Sequence, residues 1–136
     1  LGLGSRIVFA GAIPRASRYL RAFDLLALTS RTEGTPMVLL EAMNQRVPVV
    51  ATAVGGVPDL LAHESGIVVP NHDTKAIARA IAELRLDPSK AIGYADRALM
   101  RVNQHYSADS WLRAHETLYC EVLREDALAS KRSSRH

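Results

Sequence analysis

Short apolar runs alternate with stretches of helical spacing along this chain, and their order sets the expected fold. Arg6-Ile-Val-Phe-Ala is a β-branched and aromatic run closed by Gly11, which predicts a buried strand ending in a turn. A short helix is expected from a Ser17 cap through Phe23, with Tyr19, Leu20 and Phe23 on one face. Leu25 to Thr29 predicts a second strand that opens into the polar loop Arg31 to Thr35. Met37 to Gln45 are good helix formers, with Thr35 placed as N-cap and Pro36 at the first helical position. Val47 to Thr52 is continuously apolar rather than alternating, the pattern of a strand covered by helices on both faces. Gly55 and Gly56 then turn the chain, Pro58 opens a short helix to about His63, and Gly66-Ile-Val-Val-Pro70 predicts a fourth strand.

Three helices complete the pattern. Asp73 or Thr74 caps the first, whose apolar face holds Ile77, Ile81 and Leu84 and which Asp87-Pro88 breaks. The second runs from about Ser89 to His105. The last begins at Ser107 and aligns Trp111, Leu112, His115, Leu118, Tyr119 and Val122 in one stripe. Strands alternating with helices predict an open α/β sheet, whose ligands bind in the crevice at the carboxyl edge of the strands. The edge after Thr29 is therefore where chemistry is expected.

Composition narrows the reading. A chain of 136 residues, 48% hydrophobic and 23% charged, has the profile of one soluble globular domain. Residues 1–126 are expected to form that domain and residues 127–136 a disordered basic tail, which carries Lys131, Arg132 and Arg135 of the +3 net charge. The tail earns no nucleic-acid function. No apolar run approaches the roughly 18 to 20 residues of a membrane span, and the N-terminus lacks a basic stretch followed by an apolar one. Cys120 is the only cysteine, so no internal disulfide or cysteine-built zinc site forms, and a reducing cytoplasm is the expected compartment, with peripheral membrane contact left open. Its place near the last helix's stripe predicts a buried, inert thiol, and Trp111 and Tyr119 read as core or inter-domain packing. The five histidines show no metal-ligand spacing, and Ser30 and Ser65 lie in no nucleophile elbow.

One constellation stands out. In Ser30-Arg31-Thr32-Glu33-Gly34-Thr35-Pro36-Met37-Val38-Leu39-Leu40-Glu41, one glutamate precedes a helix start and a second lies inside the helix, with seven residues between them. The free amides of the first turn and the positive end of the helix dipole would face the crevice and bind a diphosphate without any lysine. Glu41, about one and a half turns in, could accept hydrogen bonds from a vicinal diol such as a ribose. Glu33 could accept them from sugar hydroxyls, and Gly34 permits close backbone approach. Two glutamates around a helix start are also common as solvated surface charges, and spacing alone favours that plainer reading. Gly55-Gly56-Val57-Pro58 lacks the glycine spacing and lysine of a phosphate loop and reads as a tight strand-to-helix turn beside the site.

Phe9-Ala-Gly-Ala, Tyr19-Leu with Phe23-Asp24-Leu25, Ser30 through Met43, Val47-Pro-Val-Val-Ala-Thr, Gly55-Gly-Val-Pro-Asp and Gly66-Ile-Val-Val-Pro, taken in order, resemble the C-terminal domain of retaining glycosyltransferase family four, the glycosyl transferases group 1. The resemblance implies a Rossmann-like parallel sheet flanked by helices, a partial C-terminal domain of a GT-B fold. By it Glu33 is the catalytic-site glutamate at the hydroxyls of the transferred sugar, Gly34 and Thr35 line the donor site, the amides of Met37 and Val38 hold the diphosphate, and Glu41 binds the ribose. It also implies a nucleotide-diphosphate sugar as donor substrate, no cofactor, no metal, an acceptor it does not name, transfer with retention of configuration, and a partner N-terminal domain. The arginine and lysine that the family places on the phosphates lie upstream and match nothing here, so the chain alone is expected to be inactive. Gly11-Ala12-Ile13 matches a place where the family's backbone meets the base, and a plain turn explains it equally well. Two other readings stay open, a non-catalytic α/β module serving as an interaction surface and a sugar-nucleotide epimerase or phosphorylase on the same scaffold. One departure is Asn44-Gln45-Arg46, where the family has a small residue and then glycine, so strain or a different helix exit is expected at Arg46.

Overall fold

The structure, a computed structural model, describes residues 2–133. Three parallel strands, β1 (Leu26–Leu28), β2 (Val49–Thr52) and β3 (Ile67–Val69), lie in sequence order, with Leu26 opposite Val49 and Val50 opposite Ile67. A 3-10 helix (Ala16–Ala22) precedes them, α1 (Met37–Asn44) and α2 (Val57–Leu60) connect them, and α3 (Thr74–Leu86), α4 (Pro88–His105) and α5 (Ala108–Ser133) follow. This is the expected α/β architecture of a parallel sheet flanked by helices.

The central strand shows why its sequence is apolar throughout. All four residues of β2 are buried. Val49 and Ala51 face one core with Leu39, Ala42 and Met43 of α1, Leu60 of α2 and Ala98 and Val102 of α4, whereas Val50 faces a second core with Val69, Ala80 and Leu84. Burying such a valine stabilises the fold by roughly 1.5–3 kcal/mol, so two covered faces anchor β2 firmly. The helix boundaries follow local rules. The Asp73 carboxylate accepts from the Ala76 amide at 2.8 Å and starts α3. Asp87 accepts from the Lys90 amide at 2.9 Å, and Pro88 behind it both ends α3 and opens α4.

Several expectations are corrected. Residues 6–10 are not a strand, and Val8 and Phe9 are 88% and 94% exposed. A buried parallel strand needs a neighbour to complete its ladder, and among the described residues none pairs with residues 6–10. The short helix is 3-10 rather than α, begins after Arg15 without a Ser17 cap, and buries only Leu20. Phe23 lies past its end in extended backbone, so Tyr19 and Phe23 are both exposed. The stripe on α5 is not core, because this helix touches the body mainly through α4 and leaves Trp111, Leu112, Leu118, Tyr119 and Val122 exposed. Cys120 is exposed for the same reason. The α5 helix extends through Ser133. Residues 134–136 of the expected tail lie outside the described residues. No described helix is long and apolar enough to cross a membrane.

Candidate functional site

The chain leaves β1 at Leu28 and enters α1 at Met37, so the segment between them lies at the carboxyl edge of the sheet. Glu33 is half-buried in it, and its Oε1 accepts a hydrogen bond from the Ser30 hydroxyl at 2.6 Å. Gly34 and Thr35 are exposed and Pro36 is buried. Pro36 occupies the N-cap position and Thr35 makes no capping bond, which corrects the expected cap by one residue. A proline cannot donate, and no side chain caps this turn. The first α1 amide with a backbone partner is that of Leu39, which donates to the Pro36 carbonyl at 3.0 Å. The amides of Met37 and Val38 come before it, where a helix has no internal acceptor to offer. Met37 and Glu41 are four residues apart and both exposed, so they share the solvent face of α1.

The loop is braced from below by residues with no apparent role in the sequence. Thr52, the one polar residue of β2, is buried, and its hydroxyl donates to the Ser30 carbonyl at 2.6 Å. The Gly56 amide donates to the Gly34 carbonyl at 2.8 Å, and the Asn71 side-chain amide to the Arg31 carbonyl at 3.3 Å. Gly55 adopts φ 50, and a Cβ there would stand 1.9 Å from the Glu33 carbonyl oxygen. The glycine pair is therefore a turn, as its sequence suggested, but one pressed against the site loop. The polar end of an otherwise apolar strand was the signal that could have drawn attention to Thr52.

The best-formed cavities lie elsewhere. One of about 870 Å³ is lined by Asp24, Leu25, Pro48, Leu84 and Pro88 among others, at the amino ends of the strands, and one of about 570 Å³ lies between Arg18, Arg21, Asn44 and Gln45. The Glu33–Glu41 region presents an open face. The larger of these two cavities is mainly apolar, and the α4 start beside it is already capped by Asp87. Gly11 to Ile13 are exposed, with Gly11 at φ 66, and the turn that the sequence placed at Gly11 falls at Pro14 and Arg15 instead.

Comparison with known proteins places the chain in a family. The model of the family described as glycosyl transferases group 1 matches residues 1–87. N-acetyl-alpha-D-glucosaminyl L-malate synthase of Bacillus anthracis is 32% identical over 127 residues, which are 93% of this chain and 33% of that protein. The structure of Anabaena HepE in complex with UDP and glucose superposes with a TM-score of 0.80 at 29% identity, covering 88% of this chain and 33% of that one. The C-terminal domain of a glycosyl transferase group 1 family protein (LpcC) from Francisella tularensis superposes with a TM-score of 0.66 at 25% identity, over 75% of this chain and 53% of that one. The chain thus spans about a third of the length of the first curated relatives it matches. With a parallel sheet, a loop-to-helix glutamate pair at its carboxyl edge and a family model over residues 1–87, the chain belongs to the glycosyl transferases group 1 family, as part of a C-terminal GT-B domain.

Proposed function

We propose that this chain is the donor-binding part of a glycosyltransferase that takes a nucleoside-diphosphate sugar and, with an N-terminal domain that binds the acceptor, transfers the hexose with retention of configuration. The observation that carries the reading is the uncapped start of α1, with Glu33 before it and Glu41 on the exposed face of its second turn. The amides of Met37 and Val38 bind the diphosphate, helped by the helix dipole. Glu33 accepts hydrogen bonds from the sugar hydroxyls, and Glu41 from the ribose diol. As the glycosidic bond loosens, charge builds on the leaving phosphate, and amides already pointed at it stabilise that charge without having to reorganise. No step in this reading needs a metal or a cofactor. HepE, a relative of similar fold, is described with UDP and glucose bound, which supports a nucleotide-sugar ligand for this chain.

Calorimetric titration of this chain with UDP, GDP and their glucose and mannose conjugates tests the proposal. Binding of one base series is expected, and Glu41→Ala should weaken it about 10-fold, the size of a hydrogen bond to a charged group. Absence of binding to every probe, or an unchanged affinity in Glu41→Ala, would overturn it. Retention is tested separately, by the anomeric configuration of the product formed by a longer chain that contains these residues.

A further inference from the structure

The loop that carries Glu33 has no regular secondary structure, yet it is held at Ser30, Arg31, Glu33 and Gly34. The carbonyls of Ser30, Arg31 and Gly34 accept bonds from Thr52, Asn71 and Gly56, which lie in the two following carboxyl-edge segments. The Glu33 carbonyl rests against Gly55, where any Cβ would overlap it. Within the loop, the Ser30 hydroxyl donates to Oε1 of Glu33, and Oε2 has no protein partner among the described residues. One carboxylate oxygen is thus fixed by the protein, and the other is free for a ligand.

We infer that Ser30 and Thr52 are positioning residues for sugar recognition. Thr52 sets the Ser30 backbone, Ser30 sets the Glu33 carboxylate, and the free oxygen is thereby aimed before the donor arrives. Thr52 is only 2% exposed, so it touches no ligand and acts through Ser30. The nucleoside diphosphate is held by other groups, the α1 amides and Glu41, which do not depend on this chain of bonds. The two hydroxyls therefore govern the preference for the sugar conjugate over the bare diphosphate, not affinity for the nucleotide itself. This rests on the donor-binding reading above.

The test compares the unaltered chain with Thr52→Val, Thr52→Ser and Ser30→Ala. UDP, UDP-glucose, GDP and GDP-mannose are titrated calorimetrically, and amide exchange is followed over residues 30–35. Thr52→Val keeps the side-chain volume and deletes the donor. It should weaken the sugar conjugate about 3- to 10-fold, the range of one net hydrogen bond, while the bare diphosphate stays within about twofold. Exchange over residues 30–35 should speed up while α3 is unaffected, and Thr52→Ser should restore both. Ser30→Ala should lower the conjugate affinity with less effect on exchange. If the unaltered chain prefers the conjugate and both Thr52→Val and Ser30→Ala prefer it equally, the inference fails and the donor-binding reading stands. Equal loss of conjugate and bare diphosphate in Thr52→Val also overturns it, since that is loss of the fold's integrity and not of aim. If the unaltered chain binds none of the probes, the donor-binding reading falls and takes the inference with it.

Discussion

The two ends of α1 are finished in opposite ways. At its exit the helix closes on itself in a Schellman arrangement, with the Val47 amide donating to Ala42 at 3.0 Å and the Arg46 amide to Met43 at 3.1 Å. That closure requires left-handed backbone at Arg46, φ 57, where glycine is favoured. At its entrance nothing closes, since Pro36 cannot donate, Thr35 does not cap, and the first amides stay open. Both ends belong to one eight-residue helix packed on the same core through Leu39, Ala42 and Met43. A helix selected for stability alone would be capped at both ends, because a good N-cap contributes about 1 kcal/mol. The strain at the exit serves the closure there, and the open donors at the carboxyl edge are what the proposed diphosphate binding asks of the entrance.

The largest test of this contrast acts on the loop that leads into the entrance. Gly55→Ala places a Cβ 1.9 Å from the Glu33 carbonyl oxygen, which is backbone and cannot swing aside, and it does so at a positive φ. Left-handed strain and overpacking together should cost about 2–4 kcal/mol in urea denaturation. Donor binding should fall with it even at temperatures where the chain stays folded. A Gly55→Ala chain with unchanged stability and affinity would mean the loop does not need its present path.

A cleaner test removes one open donor with little loss of packing. Met37→Pro is compatible with the helix, because proline favours the first position and the residue before it, Pro36, already has the extended backbone that a following proline requires, φ −73 and ψ 111. The Met37 side chain is largely exposed, so little packing is lost. Stability should stay within about 0.5 kcal/mol, while nucleoside-diphosphate affinity falls about 10-fold, as for a hydrogen bond to a charged group. If affinity is unchanged, the open amides are not the anion site.

The entrance was more legible in the sequence than its surroundings. Pro36 after Gly34-Thr35, with apolar spacing beyond, announced a helix start, and an error of one residue in the cap left the open amides where they were expected. The β2 run could be read as a covered central strand because both faces demand apolar side chains, which is a property of the strand itself. Residues 6–10 had the same local signal and do not form a strand, since strand formation depends on a neighbour that local pattern cannot supply. The core reading of the α5 stripe missed for the same reason, as helical spacing reports an apolar face and not what covers it, whereas packing against another domain is not contradicted by exposure here. The braces at Thr52, Gly55 and Asn71 were invisible for a third reason. They act on backbone carbonyls 22, 22 and 40 positions away (52 − 30, 55 − 33 and 71 − 31), and a carbonyl has no side-chain identity to read.

The exit of α1 supplies the smallest effect and the control for the rest. Arg46→Gly removes left-handed strain of about 1 kcal/mol or slightly more, but glycine frees the unfolded chain by about 0.5–1 kcal/mol. It also deletes the bond from Arg46 Nε to Asp96 Oδ1, 2.7 Å, between side chains that are about half exposed, a pair worth roughly 0.2–1 kcal/mol. These terms nearly cancel, so urea denaturation should find the variant within about 1 kcal/mol of the parent. Asp96→Ala separates them. It should cost about 0.5 kcal/mol in the parent and close to nothing in the Arg46→Gly background, because the pair is then already gone. Nucleoside-diphosphate affinity should remain within about twofold in all three variants, since the exit shares no bond with the open amides. A larger change would show that the strain at Arg46 is transmitted along α1 to its entrance, and the two ends would have to be treated as one device.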